Sequence, residues 1–186
     1  MKFFQNKAVA VVLAVIAVLA APVLSAKVQM TRDLNRVHSS FFLVEGKAPV
    51  YYVDQMISAA ASLAAVGSHY DALAAQADQL RQCRKTLVEA EASRDVSDIY
   101  DACAALTAAA ESFSSQAEEA ALTAADRSAV ADGSAAVSGA MRELRESDYN
   151  SDVRELLRKN YERFPASFFA GLLNIPRPEL FSEVQE

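Results

Sequence analysis

Cysteine is the residue type whose spacing in this chain could support covalent chemistry. Cys83 lies ten positions before Ser93, and Cys103 lies ten positions after it. A helical hairpin that turns at Ser93 would therefore bring the two thiols opposite each other, as an inter-helix disulfide requires. Free cysteine is also a common buried residue. The spacing leaves both alternatives open.

No other residue pattern indicates a reactive or ligand-binding site. His38 and His69 belong neither to an HExxH motif nor to a pair spaced four residues apart. Acidic pairs such as Glu118-Glu119 fall on helix faces predicted to be solvated, where they serve solubility more often than acid–base catalysis. Phosphate-loop, nucleophile-elbow and dinucleotide-binding motifs are absent from the sequence. We therefore predict no catalytic, cofactor-binding or metal-binding residues, and no enzyme activity.

The composition favours a fold built from a few long helices. About a fifth of the 186 residues are alanine, and glycine and proline number only five each, which leaves little material for the turns of a multi-stranded sheet. The net charge is −6, tryptophan is absent, and acidic residues are dispersed along the chain. Neither a basic face for phosphates nor an aromatic row for stacking on bases is expected. The composition predicts an all-α fold and no nucleic-acid partner.

The N-terminal segment, residues 1–26, is predicted to be a membrane anchor. Lys2 and Lys7 precede an uncharged run over residues 8–26, which would span roughly 28 Å as a helix and so just cross a lipid bilayer. A cleaved secretory signal is the alternative, because small residues follow Pro22, and it stays open. The short, signal-like N-terminus favours a single-pass protein of a bacterial-type cell membrane with an extracytoplasmic body.

Residues 27–165 carry apolar residues at alternating spacings of three and four, the pattern of an antiparallel up-down helical bundle. The pattern predicts a short helix over residues 28–44, ended by Gly46 and Pro49, and a long helix over residues 50–92. The stripe of the short helix is Leu34, Val37, Phe41 and Val44. A break at residues 93–95, where Ser93 or Asp95 can cap the next helix, precedes the most regular stripe in the chain. Its members are Val96, Ile99, Cys103, Leu106, Ala110, Phe113, Ala117 and Ala120.

The last predicted helix begins at a capping box formed by Thr123 and Asp126. Its apolar stripe shifts by one residue near Ser147, where we expect a kink. The shifted stripe continues through Tyr149, Val153, Leu156, Asn160 and Phe164 before Pro165 stops the helix. Short connections make consecutive helices antiparallel neighbours, so the bundle would contain one short and three longer helices. Residues 166–186 would form a capping segment or tail.

The C-terminal region carries a set of aromatic, amide and small residues at defined positions. Its members are Tyr149, Asn150, Asn160, Phe164, Pro165, Ala170, Gly171 and Phe181. This set resembles the closing signature of the LemA family, and residues 60–70 resemble that family's first long helix. The resemblance implies an antiparallel helical bundle with an N-terminal transmembrane helix, in a family whose biochemical role is not established. A purely structural interpretation is that Phe164-Pro165 ends a helix, that Phe168, Phe169, Leu172 and Ile175 cover its end, and that Asn160 fixes its register.

Two functions agree with these patterns. The first is a membrane-anchored scaffold or adaptor that presents its helices to another membrane or envelope protein, with residues 8–26 in the lipid bilayer. The second is an extracytoplasmic sensor bundle that binds a small ligand between its helices. A cavity with converging polar groups would favour the sensor, and a filled apolar interior would favour the scaffold. A homo-oligomer stays open, because an apolar seam serves contacts within and between chains equally well.

Overall fold

The computed structural model describes residues 7–43 and 48–182, and its regular elements are all helical, which confirms the predicted fold class. Among the residues described, one 3-10 turn, Asp71–Leu73, precedes the third helix. The seven α-helices are α1 (Lys7–Phe42), α2 (Pro49–Gly67), α3 (Ala74–Ser93), α4 (Val96–Glu119), α5 (Ala124–Glu146), α6 (Asp148–Asn160) and α7 (Ala166–Leu172).

The helices belong to two compact units that cut across the predicted division into anchor, bundle and tail. The first unit combines Met1–Ser39 with Asp152–Pro178, and so contains most of α1 and of α6 together with α7. The second unit combines Ser40–Ser151 with Glu179–Glu186, and contains α2 to α5 and the C-terminal segment.

Helices α2 to α5 form the helical bundle that the apolar spacing predicts. Both α2 and α4 pack against α3 and α5, so each helix has two principal neighbours. The short connections between them make consecutive helices antiparallel. The α4 stripe is confirmed as the buried seam, since the members from Val96 to Ala117 are buried and only Ala120, just past the helix end, is half-buried.

The long helix predicted over residues 50–92 is wrong, because the chain turns back after Gly67. A Cβ atom on Gly67 would lie 2.6 Å from Phe113 Cε2 and 2.9 Å from the Cβ of Ala77, so glycine alone fits where α2, α3 and α4 meet. Tyr70 is extended, and α3 then buries Ala77 and its neighbours in the same core from the opposite direction. The apolar spacing therefore continues across a turn, and the bundle has four helices of similar length rather than one short and three long.

Tyr70 joins two connections at this end of the bundle. The hydroxyl of Thr123 accepts a hydrogen bond from the backbone N–H of Asp126 at 3.1 Å, which confirms the predicted start of α5. Asp126 accepts in turn from the Thr123 and Tyr70 hydroxyls, and these bonds lower the pKa of its carboxyl. The backbone N–H of Thr123, the expected partner of Asp126 in a capping box, donates instead to the Tyr70 hydroxyl. The hydrogen bonds of the Tyr70 hydroxyl thereby link the turn after α2 to the turn before α5.

In the first unit, α1 is one continuous helix that passes through Pro22. The short helix predicted over residues 28–44 is therefore the C-terminal part of a longer helix, and Gly46 lies outside the described residues. Within the part of the chain that the structure describes, no helix has the length and apolarity needed to span a membrane. Most of residues 8–19, in the predicted anchor, lie outside the described side chains.

Helix α7 and the residues around it pack against α1 in the same unit. Met30, Ala170 and Ile175 are buried together, and the half-buried side chains against them are Leu34, Tyr161, Phe169 and Leu173. Lys159 of α6 pairs with Asp33 of α1 at 2.8 Å.

Phe164 departs from its predicted place in the buried stripe, because it is 84% exposed. Helix α6 ends at Asn160, and residues 161–165 form turns that leave the helical phase of the stripe. Phe168 and Leu172 are also exposed, so the structural interpretation of residues 168–175 holds for Phe169 and Ile175 alone.

Candidate functional site

The most specific polar contacts in the second unit surround a one-residue break between α5 and α6. Ser147 leaves the helical conformation with φ −63° and ψ 151°, and α6 begins at the next residue. The predicted kink is thus a full interruption of the helix. The break places Tyr149 and Asn150 in the first turn of α6, where both are buried.

Asn150 binds the backbone of the C-terminal segment through both ends of its amide. The backbone N–H of Phe181 donates to Asn150 Oδ1 at 2.8 Å, and Asn150 Nδ2 donates to the carbonyl oxygen of Phe181 at 3.0 Å. A neighbouring β-strand would offer the same donor and acceptor pair. Asn150 therefore satisfies both backbone polar groups of Phe181, which would otherwise be buried without partners.

The ring of Phe181 occupies an aromatic pocket and is only 1% exposed. Its centroid lies 5.1 Å from that of Tyr100 at an interplanar angle of 80°, and 5.9 Å from that of Phe41. Phe41 in turn meets Tyr149 edge-on, with centroids 5.1 Å apart. Edge-to-face contacts of this kind add to the burial of apolar area. We call Phe41, Tyr100, Tyr149 and Asn150 the aromatic clamp.

Tyr149 makes a third contact with the C-terminal segment. Its hydroxyl donates to the carbonyl oxygen of Glu179 at 3.0 Å. Burial raises the pKa of Tyr149, and the nearby charge of Glu179 raises it further. The phenol consequently stays protonated as a hydrogen-bond donor at neutral pH. The clamp thus binds residues 179–181 through the backbone of Glu179 and of Phe181, and through the side chain of Phe181 alone.

Acidic groups surround the side chain of Glu179. Partial desolvation raises the pKa of the Glu179 carboxyl, and the charge of Asp95 raises it again, whereas a hydrogen bond with the backbone of Ser97 lowers it. Asp95 is the N-cap of α4, where it accepts from the backbone N–H groups of Ser97 and Asp98 at 3.0 and 3.1 Å. One of the two capping residues proposed for this break, Asp95, is therefore the N-cap.

The structure brings together three of the eight signature residues. Tyr149, Asn150 and Phe181 meet in the clamp, whereas the others lie in the first unit. Of these five, Asn160 is buried and Ala170 packs against α1. The other three are exposed: Phe164, Pro165 and Gly171.

Sequence reasoning did not identify Tyr100 as a member of the clamp. Tyr100 follows Ile99 in α4 and lies outside the apolar seam, so the three-and-four spacing gives no signal for it. Phe41 was predicted only as a stripe residue of a short helix. The sequence does place an aromatic residue, Tyr100, directly after the seam residue Ile99 and close to the predicted start of this helix. That placement was the only signal that could have identified Tyr100.

Cys83 and Cys103 are both free thiols in this structure, the second of the two alternatives that their spacing leaves open. Cys103 lies on the α4 seam and is fully buried, whereas the α3 seam passes from Leu80 to Leu87 and leaves Cys83 half-buried at its edge. Burial raises the pKa of Cys103 to about 12, and partial burial raises that of Cys83. Within the described residues, no group of three His, Cys, Asp or Glu side chains could hold a metal ion.

The two thiols should differ strongly in reactivity. In the native protein at neutral pH, a maleimide should modify Cys83 at least about a hundredfold faster than Cys103, because the reactive species is an accessible thiolate. Peptide mapping by mass spectrometry after timed labelling measures both rates, and labelling in denaturant provides the control. Equal native rates would contradict the burial of Cys103, and two unreactive thiols in the denatured, unreduced protein would reveal a disulfide.

Comparison of the chain with protein-family models, with curated proteins and with solved structures finds no match in any of the three. The resemblance to the LemA family therefore stays a prediction from the signature residues.

Proposed function

We propose that this protein is a membrane-anchored, non-enzymatic scaffold or adaptor for envelope proteins, and that its aromatic clamp, which holds the chain's own residues 179–181, exchanges them for a partner peptide bound in the same way. The observation that supports this proposal most directly is the pair of hydrogen bonds between the Asn150 amide and the backbone of Phe181. Adding an extended chain through backbone groups is a recurrent mode of peptide recognition, with one pocket supplying side-chain specificity. In this chain, the pocket takes a phenylalanine.

The proposed anchor is the uncharged run over residues 8–26, which lies at the start of α1. The helix continues without interruption from this run into residues 27–42, so it would transmit a fixed orientation from the bilayer to the first unit. A body outside the cytoplasm would then meet membrane and envelope proteins.

The interior of the bundle supports a scaffold over a small-ligand sensor. The fully buried side chains between α2 and α5 are apolar, and within the described residues the only buried polar ones are Asn150 and Asn160, both in α6. A groove of about 430 Å³ lies between the end of α4 and the start of α5, but its charged lining residues, Glu118 and Arg127, are exposed. Ligand sites are usually more enclosed, with polar groups that converge.

Site-specific photocrosslinking in native membranes tests this function. A photoreactive amino acid at exposed Leu43, two residues from Phe41 of the clamp, should yield a discrete adduct with an envelope protein. The same probe at exposed Val88 on α3 is the position control, and Asn150→Leu in the Leu43-probe background should weaken the adduct severalfold by disabling the clamp. An impermeant maleimide directed at Cys83 on intact cells tests whether the body is extracytoplasmic. Adducts with lipid and self alone, or equal adducts from Leu43 and Val88, would contradict an adaptor role of the clamp.

A further inference from the structure

Charge is unevenly distributed along a chain that is acidic in total. The whole protein carries −6, yet residues 27–39 and 152–178 of the first unit hold eight Lys and Arg against four Asp and Glu. Most of these cations are exposed, among them Arg32, Arg36, Arg158, Arg163 and Arg177. The dispersal of charge expected from the sequence is therefore incomplete, because the first unit has a net positive charge.

The same unit exposes a stripe of large apolar side chains. Phe164, Phe168 and Leu172 are 84%, 58% and 60% exposed. Phe168 and Leu172 lie four residues apart on one face of α7, and Phe164 lies in the turn just before that helix. Scattered exposed apolar residues are ordinary, but two on one face of a seven-residue helix, with exposed Arg163 and Phe164 directly before it, indicate an interaction surface.

The position of this stripe along α1 indicates what it contacts. The opposite face of α7 packs through Ala170 and Phe169 against Met30 and Leu34 of α1. Met30 lies four residues after Ala26, the end of the uncharged run, which is roughly 6 Å along a helix. Headgroups occupy roughly 5–8 Å on each side of the hydrocarbon core. If residues 8–26 span the core, α7 lies at the level of the headgroups.

We propose that the stripe of Phe164, Phe168 and Leu172 is a membrane-interface surface that inserts into the headgroup region of an anionic bilayer, beside the end of the anchor. An apolar face bordered by arginine is the arrangement found in interfacial amphipathic helices. The exposed cations of the first unit complement anionic phospholipid, and each cation near such a surface strengthens binding about fivefold. This inference rests on the proposed anchor and adds a second membrane contact that would hold the first unit against the bilayer.

The absence of tryptophan from the chain allows a direct test. Single-tryptophan variants of the full-length protein are reconstituted into phosphatidylcholine–phosphatidylglycerol vesicles that contain lipids brominated in the upper acyl chain. Phe168→Trp reports on the stripe, Leu24→Trp on the anchor, and exposed Val88→Trp on the second unit. Leu172→Trp is a second stripe reporter should Phe168→Trp misfold.

The expected result is blue-shifted emission and strong bromolipid quenching for the reporters at positions 168 and 24, with no quenching at position 88. Arg158→Gln and Arg163→Gln together should reduce quenching at position 168 severalfold in anionic vesicles and leave it unchanged at position 24. Quenching at position 24 without quenching at position 168 would overturn the inference and leave the anchor intact. Quenching at neither would overturn both. A position-168 reporter that is shielded from lipid in a dimer would overturn the inference in favour of self-association.

Discussion

Replacing Asn150 with leucine is expected to lower the free energy of unfolding by about 1–3 kcal/mol for each of the two Phe181 backbone groups that lose their partner. Leucine fills a similar volume but can neither donate nor accept a hydrogen bond. Either the N–H and C=O of Phe181 stay buried without partners, or the segment leaves the aromatic clamp and exposes the ring of Phe181. Urea denaturation measures the loss of stability, and hydrogen exchange at the Phe181 amide should become at least tenfold faster.

Asn160→Leu is the matched control for this prediction. Asn160 is as deeply buried as Asn150, but within the described residues its amide nitrogen has no hydrogen-bond partner. Removing an unsatisfied buried group relieves a desolvation penalty, so stability should stay constant or rise by about 1 kcal/mol. Equal losses from the two variants would mean that buried volume, rather than the bonds to Phe181, determines the effect of Asn150.

Gly67→Ala is expected to destabilise the protein by about 1–3 kcal/mol, the usual range for overpacking a well-packed core. Helix propensity alone predicts the opposite, since alanine is better than glycine by about 1 kcal/mol inside a helix. The added methyl group would meet the ring of Phe113 and the Cβ of Ala77, and the latter cannot move without its backbone. The helices must then separate at the point where α2 turns into α3. The urea midpoint of the variant should fall.

Gly139→Ala supplies the control of opposite sign. A Cβ atom on Gly139 would have no heavy atom within 4 Å, and the residue lies inside α5. Helix propensity is then the only effect of the substitution, and the free energy of unfolding should rise by about 0.5–1 kcal/mol. If both variants stabilise the protein, the close approach of α2, α3 and α4 at Gly67 is not a constraint on the fold.

Local patterns predicted a large part of this structure. The α4 seam, the N-cap at Asp95, the start of α5 at Thr123 and the shift near Ser147 all follow from spacing and capping chemistry between residues a few positions apart. The turn after Gly67 could not be found in this way, because the apolar period continues unbroken from α2 into α3. The reason that glycine is needed there lies in Phe113, which is 46 positions away in the sequence.

The signature residues show the same limit. Their motif drew attention to Tyr149, Asn150 and Phe181, but nothing in the motif indicated that Asn150 would bind the backbone of Phe181 or that Phe41 and Tyr100 would form the pocket. Phe164 was misplaced because the phase of a helical stripe has no meaning once the helix has ended at Asn160. A periodic pattern does not reveal where its helix stops when no strong stop signal intervenes.

The sequence by itself determined that the chain is helical, where α2, α4 and α5 begin, and which side chains of α4 are buried, because these properties depend on hydrogen bonds and side-chain spacing within one or two turns. The tertiary structure alone decided the number of bundle helices, the position of Cys83 at the edge of the α3 seam, and the assembly of the aromatic clamp. Each of these depends on contacts between residues far apart in the chain, whose proximity arises only when the helices pack.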